Sequence, residues 1–225
     1  MRQKTAEELQ EKVKKDYDHI VEDFHRTRKS DWKEFKIFLK FIKEGQRLID
    51  LGCGNGRFYD FIRKYKSVRY VGMDNNKKLL DKAGENFNRK LFVLGDMTKI
   101  PLEGNKFDVA CAIASFHHIP SITLRKTALK EIHRMLKSEG ILIMSVWNLF
   151  QPKYKKYIWR ARIKGLFTFG KFDMRDTFIP WGKSDVKRYY YAFKPRELRK
   201  LLAKNGFYPI SEHVGRNIVF ICKKY

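Results

Sequence analysis

The sequence predicts an α/β fold, a mostly parallel sheet with helices on both faces and an antiparallel strand pair at its C-terminal end. Three observations carry this. Between residues 47 and 147, short and nearly all-apolar segments alternate with amphipathic ones, as expected of parallel strands buried on both faces. A glycine-rich turn follows the first of those segments. The last two apolar segments are separated only by Val214 and Gly215, too little chain for a parallel crossover of about a dozen residues.

The elements follow in order. Leu9, Val13, Tyr17, Ile20 and Phe24 recur at helical spacing and predict an N-terminal amphipathic helix. A second helix is expected over 31–44, with Trp32, Phe35, Phe38 and Ile42 on its apolar face and Gly45 as its stop. The first strand, 47–51, runs into Gly52-Cys53-Gly54-Asn55-Gly56, and a helix is expected over 57–65. Strand 69–73 ends at Asp74 and precedes a helix over 76–87; strand 90–94 ends at Gly95-Asp96. A fourth strand covers 107–113. Leu124, Ala128, Ile132, Met135 and Leu136 mark a helix over 122–137, and Gly140 opens a fifth strand. The tail reads as a helix over 195–205 and strands near 207–213 and 216–223. No repeat or low-complexity linker interrupts the chain, so one domain is expected.

Composition narrows the function classes. Hydrophobic residues are 43% and aromatics 15%, which excludes a disordered chain. Lys and Arg number 49 against 25 acids, a net charge of +24. Such charge favours polyanionic partners, nucleic acid first and an anionic membrane surface second. Cys53, Cys111 and Cys222 are scattered and form no C-x-x-C pair, which argues against a disulfide framework or a zinc site and suits a reducing compartment. The N-terminal residues lack an apolar stretch, so no secretory leader is expected. No apolar run reaches membrane-spanning length, and a cytoplasmic location is expected.

The glycine turn carries the chemistry. Three glycines at alternate positions let a ligand lie against bare backbone. Asp74 lies twenty residues after Gly54 at the end of the second strand, where a carboxylate can accept both hydroxyls of a ribose. Asp96 ends the third strand, within reach of an adenine amino group. Asp50 precedes the glycines, where a pyrophosphate site would avoid negative charge; a ligand with a sulfonium and an ammonium suits it better. A single Asp would read as a helix cap, but three acids at three consecutive strand ends, with the glycines, favour a ligand. A nicotinamide site expects G-x-G-x-x-G, and G-C-G-N-G-R fits it less well.

DLGCGNG, YVGMD and VLGDM resemble the first, ribose and adenine motifs of class I S-adenosylmethionine-dependent methyltransferases. The resemblance covers roughly 46–147 and the tail. It implies a Rossmann-like sheet of seven strands, the last antiparallel, and S-adenosylmethionine held by Asp50, Gly52, Cys53, Gly54, Gly56, Asp74, Asn75, Asp96, Met97 and Ala114. On this reading 1–45 is a helical extension, 46–147 the cofactor-binding core, 148–193 a substrate-binding insertion, and 194–225 the closing helix and strand pair.

Three features lie outside that core. His117 and His118 follow the fourth strand, on the side of an open α/β sheet where ligands sit; a helix-entry loop with a packed histidine is the plain alternative. Residues 151–172 hold seven Lys or Arg, no acid, and interleaved Tyr154, Tyr157, Trp159, Phe167, Phe169 and Phe172. Such a segment can meet phosphates and unpaired bases, or be a solvated helix whose aromatics pack on the core. Finally, Phe24, Thr27, Arg28 and Trp32, the His117-His118 pair, Asp176, Pro180 and Trp181, and Arg188, Tyr189, Tyr190 and Phe193 together resemble the eukaryotic-type tRNA wobble-uridine carboxymethyl methyltransferases. The sequence departs from that pattern at His25 and Tyr191, and in a longer loop after His118.

This resemblance implies methyl-ester formation on 5-carboxymethyluridine in tRNA, an acceptor already ionised at neutral pH. Arg28 is expected to bind the carboxylate through a bidentate pair, with His117 or His118 completing its placement. Trp32, Lys153, Lys155, Arg160, Arg162, Trp181, Arg188, Tyr189 and Tyr190 are the expected substrate and RNA contacts. Family members in eukaryotes act with a small zinc-containing activator subunit that pairs with an edge strand. The alternatives are a small-molecule or quinone methyltransferase with a basic lid, and a non-catalytic RNA-binding partner of the same fold.

Overall fold

The computed structural model describes residues 1–28 and 30–225. Helix α1 (Gln3–Thr27) leads through the single-turn α2 (Phe35–Phe38) into β1 (Arg47–Leu51). Then come α3 (Arg57–Ile62), β2 (Arg69–Asp74), α4 (Lys77–Asn86), β3 (Phe92–Leu94), β4 (Phe107–Ile113), α5 (Ile122–Met135) and β5 (Leu136–Trp147). The insertion folds as α6 (Lys155–Phe167) and a hairpin of β6 (Asp176–Pro180) and β7 (Lys187–Tyr191). Helix α7 (Pro195–Ala203), β8 (Phe207–Val214) and β9 (Asn217–Lys224) close the chain.

The main sheet has seven strands in the order β3-β2-β1-β4-β5-β9-β8. The first five are mutually parallel and β9 runs antiparallel to both of its neighbours. Side chains alternate between the two faces. Ile49, Ala110, Ala112, Leu142, Met144 and Phe220 face α5 and α7, where Leu129, Ile132, Leu198 and Leu202 are fully buried. Leu48, Val109, Cys111, Ile143 and Ile221 face Phe35, Phe38, Phe58 and Phe61. Both faces are dry, which is why these strands read as continuous apolar runs. All three cysteines are buried and unpaired. Among the described residues no helix is long and apolar enough to cross a membrane.

Two stretches differ from the sequence reading. The helix expected over 31–44 shrinks to Phe35–Phe38 followed by a 3-10 turn, Leu39–Phe41, and Ile42 is already extended. Phe35 and Phe38 are fully buried against Phe58 and Phe61, so one turn satisfies the apolar spacing. The hairpin was not anticipated. Arg188, Tyr189, Tyr190 and Tyr191 are all buried, so β7 offers no alternation of apolar and polar residues to read.

Phe38 anchors the cluster between α2 and α3 at 0% exposure. Phe38→Ala should lower the unfolding free energy by about 3–5 kcal/mol, measured by denaturant titration.

Candidate active site

A cavity of about 160 Å³ opens at the carboxyl ends of β1, β2 and β4, where open α/β sheets bind ligands. Its floor is the turn after β1. Gly52 and Cys53 both donate to the Met73 carbonyl, at 2.7 and 3.1 Å. Gly52 has φ +76°, and a Cβ there would lie 2.3 Å from that of Ser115. A side chain is excluded on both counts. Gly54 donates its N–H to Asp74 Oδ2 at 2.9 Å, and Asn76 donates to Oδ1 at 2.9 Å. Asp74 is therefore rigidly aimed. Burial raises its pKa, with the Asn76 and Gly54 N–H groups opposing that rise.

Asp50 is 2% exposed and accepts a hydrogen bond from the Tyr70 hydroxyl at 2.8 Å. Burial, reinforced by Asp74, pushes its pKa up to about 7. Asp96 lines the cavity and accepts from the Thr98 N–H at 2.7 Å. Asn75, Met97, Ala114 and Cys53 also line it. Gly56 does not; it ends the turn at the start of α3 with φ +79°, beside Phe87 and Phe92. The three acids and bare backbone fit a ligand with ribose hydroxyls and a positively charged centre. A buried, unpaired carboxylate such as Asp50 is costly unless a cation meets it.

The opposite wall is built from α1, the turn after β4, and β7. His117 is 1% exposed; its Nδ1 accepts the Trp147 N–H at 3.1 Å, which leaves the proton on Nε2. That Nε2 is buried and has no partner. His118 is fully engaged: Nδ1 donates to the Tyr189 carbonyl at 2.7 Å, and Nε2 accepts from the Tyr17 hydroxyl at 2.9 Å. Burial, with the Arg188 charge, lowers the pKa of His118 to about 3 and that of His117 well below the usual range; for His117 the His118 ring adds to the effect. Both imidazoles are neutral at physiological pH.

Arg188 is 5% exposed and has no carboxylate within ion-pairing distance among the described residues. Nη1 donates to Tyr17 Oη at 3.3 Å, and Nε is buried without a partner. The guanidinium sits among aromatic rings, 4.5 Å from that of Trp181 and 5.1 Å from that of Tyr190. Tyr190 stacks on Trp147 and has a buried, unpartnered hydroxyl. The half-buried Arg28 also lies over Trp181, at 4.6 Å. Burial and the charge of Arg188 pull its pKa down. Trp181 donates Nε1–H to Asp23 on α1 at 2.5 Å, which fixes the helix against the hairpin.

The cavity thus gathers Arg28, Trp32, Asp50, Gly52, Cys53, Gly54, Asp74, Asn75, Asp96, Met97, Ala114, His117, His118, Arg188 and Tyr190. Trp181 stands behind the guanidiniums. Tyr189 faces the core, its hydroxyl bonded to Asp176 at 2.7 Å. Lys153, Lys155, Arg160 and Arg162 are exposed on or before α6 and do not line the cavity. Tyr17, Arg57 and Trp147 line it without having been singled out in the sequence. Their apolar or helical spacing points to packing, and nothing in it reveals a hydroxyl or guanidinium turned inward.

The sheet order and this cavity define a class I S-adenosylmethionine-dependent methyltransferase. Comparison with known proteins agrees. The methyltransferase domain family matches residues 49–144. A tRNA (carboxymethyluridine(34)-5-O)-methyltransferase of Schizosaccharomyces pombe is 30% identical over 183 residues, 81% of this chain and 72% of that protein. The alkbh8 protein of Xenopus tropicalis, which bears the same enzyme name, is 34% identical over 146 residues, 65% of this chain but 22% of that protein. A methyltransferase of Haloferax volcanii, solved in complex with the Trm112 methyltransferase activator, superposes with a TM-score of 0.72 at 14% identity, covering 94% of this chain and 97% of that one. The chain belongs to the S-adenosylmethionine-dependent methyltransferase family that includes the tRNA (carboxymethyluridine(34)-5-O)-methyltransferases.

Because the folded state raises the Asp50 pKa from the ordinary value of 3.8 to about 7, native protein binds a proton there that unfolded chain has already lost. Stability is therefore lost as pH rises between those two values. Without ligand, Asp50→Asn should melt above wild type at pH 8, and the gap should close toward pH 5. A gap of constant size in calorimetry would contradict the assignment.

Proposed function

We propose that the protein methylates the carboxylate of 5-carboxymethyluridine at the wobble position of tRNA. The observation that carries this reading is the pairing of a buried guanidinium without an ion-pair partner, Arg188, with two neutral histidines. An amine or hydroxyl acceptor must lose a proton to become a good nucleophile. His118 has neither ring nitrogen free, and His117 presents an N–H rather than a lone pair. A carboxylate needs no base, because it is ionised at neutral pH. The names of the relatives support the same acceptor.

The donor supplies a methyl group on a positively charged sulfur, and its transfer to a carboxylate oxygen moves no proton. The chain's own groups have to hold and dehydrate that oxygen. Arg188 Nε–H and His117 Nε2–H are donors without partners on the same wall, suited to the two oxygens of one carboxylate. The Tyr190 hydroxyl adds a third donor. Trp147, Trp181 and Tyr190 surround Arg188 and lower the local dielectric, which strengthens each contact. Arg28, half-buried over Trp181, meets the same nucleotide from the mouth of the cavity. Exposed Lys153, Lys155, Arg160 and Arg162 take phosphates of the tRNA backbone. Strand β3 is a free sheet edge carrying exposed Leu94; a small zinc-containing activator subunit would pair there.

The test is transfer of labelled methyl from S-adenosylmethionine to tRNA bearing carboxymethyluridine, beside the same tRNA lacking it. Label should enter only the first and leave as methanol in mild alkali. Equal labelling of both would refute the acceptor. Arg188→Lys keeps the charge but loses the planar donor fork, so kcat/KM should fall by about 100-fold while affinity for S-adenosylhomocysteine holds. Binding of tRNA should weaken steeply with added salt, in proportion to the phosphates contacted; a flat salt profile would point to a small acceptor.

A further inference from the structure

Helix α6 turns apolar residues outward as well as inward. Its buried side is small, only Ile158 and Ala161. Trp159 is 64% exposed and Phe167 74%, and Phe169, in the turn that follows, is 88% exposed. Other aromatics of the segment are occupied. Tyr154 stacks on Trp147, Tyr157 has the Lys156 ammonium over its ring, and Phe172 meets Phe178 edge-on beneath Lys164. Among the described residues no ring or cation covers Trp159, Phe167 or Phe169. Phe169 also holds φ +45°, a left-handed backbone that is costly for a bulky residue, and burial of its ring does not offset that cost. Contiguous apolar surface kept in water marks a binding face.

The charge around these rings points to the partner. Residues 151–172 hold seven cations and no acid. None of the seven is ion-paired among the described residues, and the next cation, Arg175, already has Glu197. A polyanion would complement them. With about 100° of turn per residue, exposed Lys156 falls between Trp159 and Phe167 on the outer face. A bilayer takes a continuous apolar face with its cations at the border, whereas a nucleic acid strand offers phosphates and base planes in alternation. Position agrees. Ile158 packs with Tyr190 and Ile179, and Tyr190 itself lines the cavity, so α6 stands behind the acceptor wall. We propose that the outer face of α6 and the turn after it form a stacking platform for unpaired RNA bases, with Trp159, Phe167 and Phe169 as its planes. A strand with one nucleotide in the cavity carries its neighbours over α6. Trp159 and Phe167 are about 12 Å apart along the helix axis, the rise of about three or four nucleotides at about 3.4 Å each. Duplex RNA, whose bases already stack on one another, gains nothing from these rings. The proposal rests on an RNA acceptor and is independent of which group on that RNA is methylated.

Fluorescence anisotropy with the full chain and two synthetic RNAs tests this. One is a tRNA anticodon stem-loop with an unmodified wobble uridine, and the other is a blunt duplex with the same number of phosphates. Neither carries a carboxymethyl group, so the choice of methyl acceptor does not enter. Wild type should favour the stem-loop. Trp159→Ala should weaken the stem-loop by about tenfold, keep the duplex within about twofold, and leave the salt dependence unchanged. Trp159→Phe should recover part of the loss. Arg160→Gln should instead weaken both RNAs and lower the salt slope by about one phosphate. If Trp159→Ala weakens both RNAs equally or changes neither, the platform is overturned while RNA binding stands. If wild type binds neither RNA, the platform and the RNA acceptor fall together. Vesicles of equal phosphatidylserine and phosphatidylcholine should sediment wild type and Trp159→Ala alike; sedimentation lost in the variant, with stem-loop affinity unchanged, would assign the face to a membrane and overturn the proposal. Because Trp159 is mostly exposed, the variant should melt with wild type. A large drop moves the test to Phe167→Ala, which should separate the two RNAs in the same way.

Discussion

A guanidinium cannot be taken out of water without compensation, and that constraint organises the acceptor side of this molecule. Arg188 is buried on a hairpin strand, held by the Tyr17 hydroxyl and by the faces of Trp181, Trp147 and Tyr190. None of these neutralises it. Rings and one phenol steady a cation by a few kcal/mol at most, well short of the cost of burying it alone. The surrounding structure is therefore committed to receiving an anion. The same phenol reaches His118 and fixes its protonation state. Helix α1, the turn after β4 and the hairpin meet at one hydroxyl.

The donor side obeys the opposite sign. Asp50 and Asp74 are held at the carboxyl ends of β1 and β2 by Tyr70 and by backbone N–H groups. Burial raises the pKa of both, so each is a carboxylate that gains from a nearby positive charge. On the proposed reading, a sulfonium donor and a carboxylate acceptor would meet between walls of opposite charge, each paired with its complement.

Much of the donor side was legible in the sequence. Strand ends, glycines and acids sit at fixed offsets, because a turn that needs a positive φ leaves little choice of residue. The antiparallel pairing of β8 and β9 followed from connection length, and the seven-stranded sheet from the family resemblance. The acceptor side was harder to read. Strand β7 is covered on both faces, so Arg188-Tyr189-Tyr190-Tyr191 shows no alternation and its hairpin was not expected. Arg28 and Arg188 were both singled out from motifs; that Arg188 is the more deeply buried of the two cannot be seen in a motif. Tyr17 reads as one more apolar residue on a helix. Lys153, Lys155, Arg160 and Arg162, expected as substrate and RNA contacts, are exposed and stand outside the cavity. Trp159 stays 64% exposed beside them, so core packing does not account for all the aromatics of that segment.

The central claim is that the wall bearing Arg188 and His117 holds the methyl-accepting carboxylate. A crystal structure with S-adenosylhomocysteine and the nucleoside 5-carboxymethyluridine measures this directly. The account predicts one carboxylate oxygen within hydrogen-bonding distance, about 3 Å, of Arg188 Nε and the other facing His117 Nε2, with one of the two turned toward the donor sulfur. A nucleoside whose carboxylate points to solvent, with Arg188 still unpaired, would contradict it.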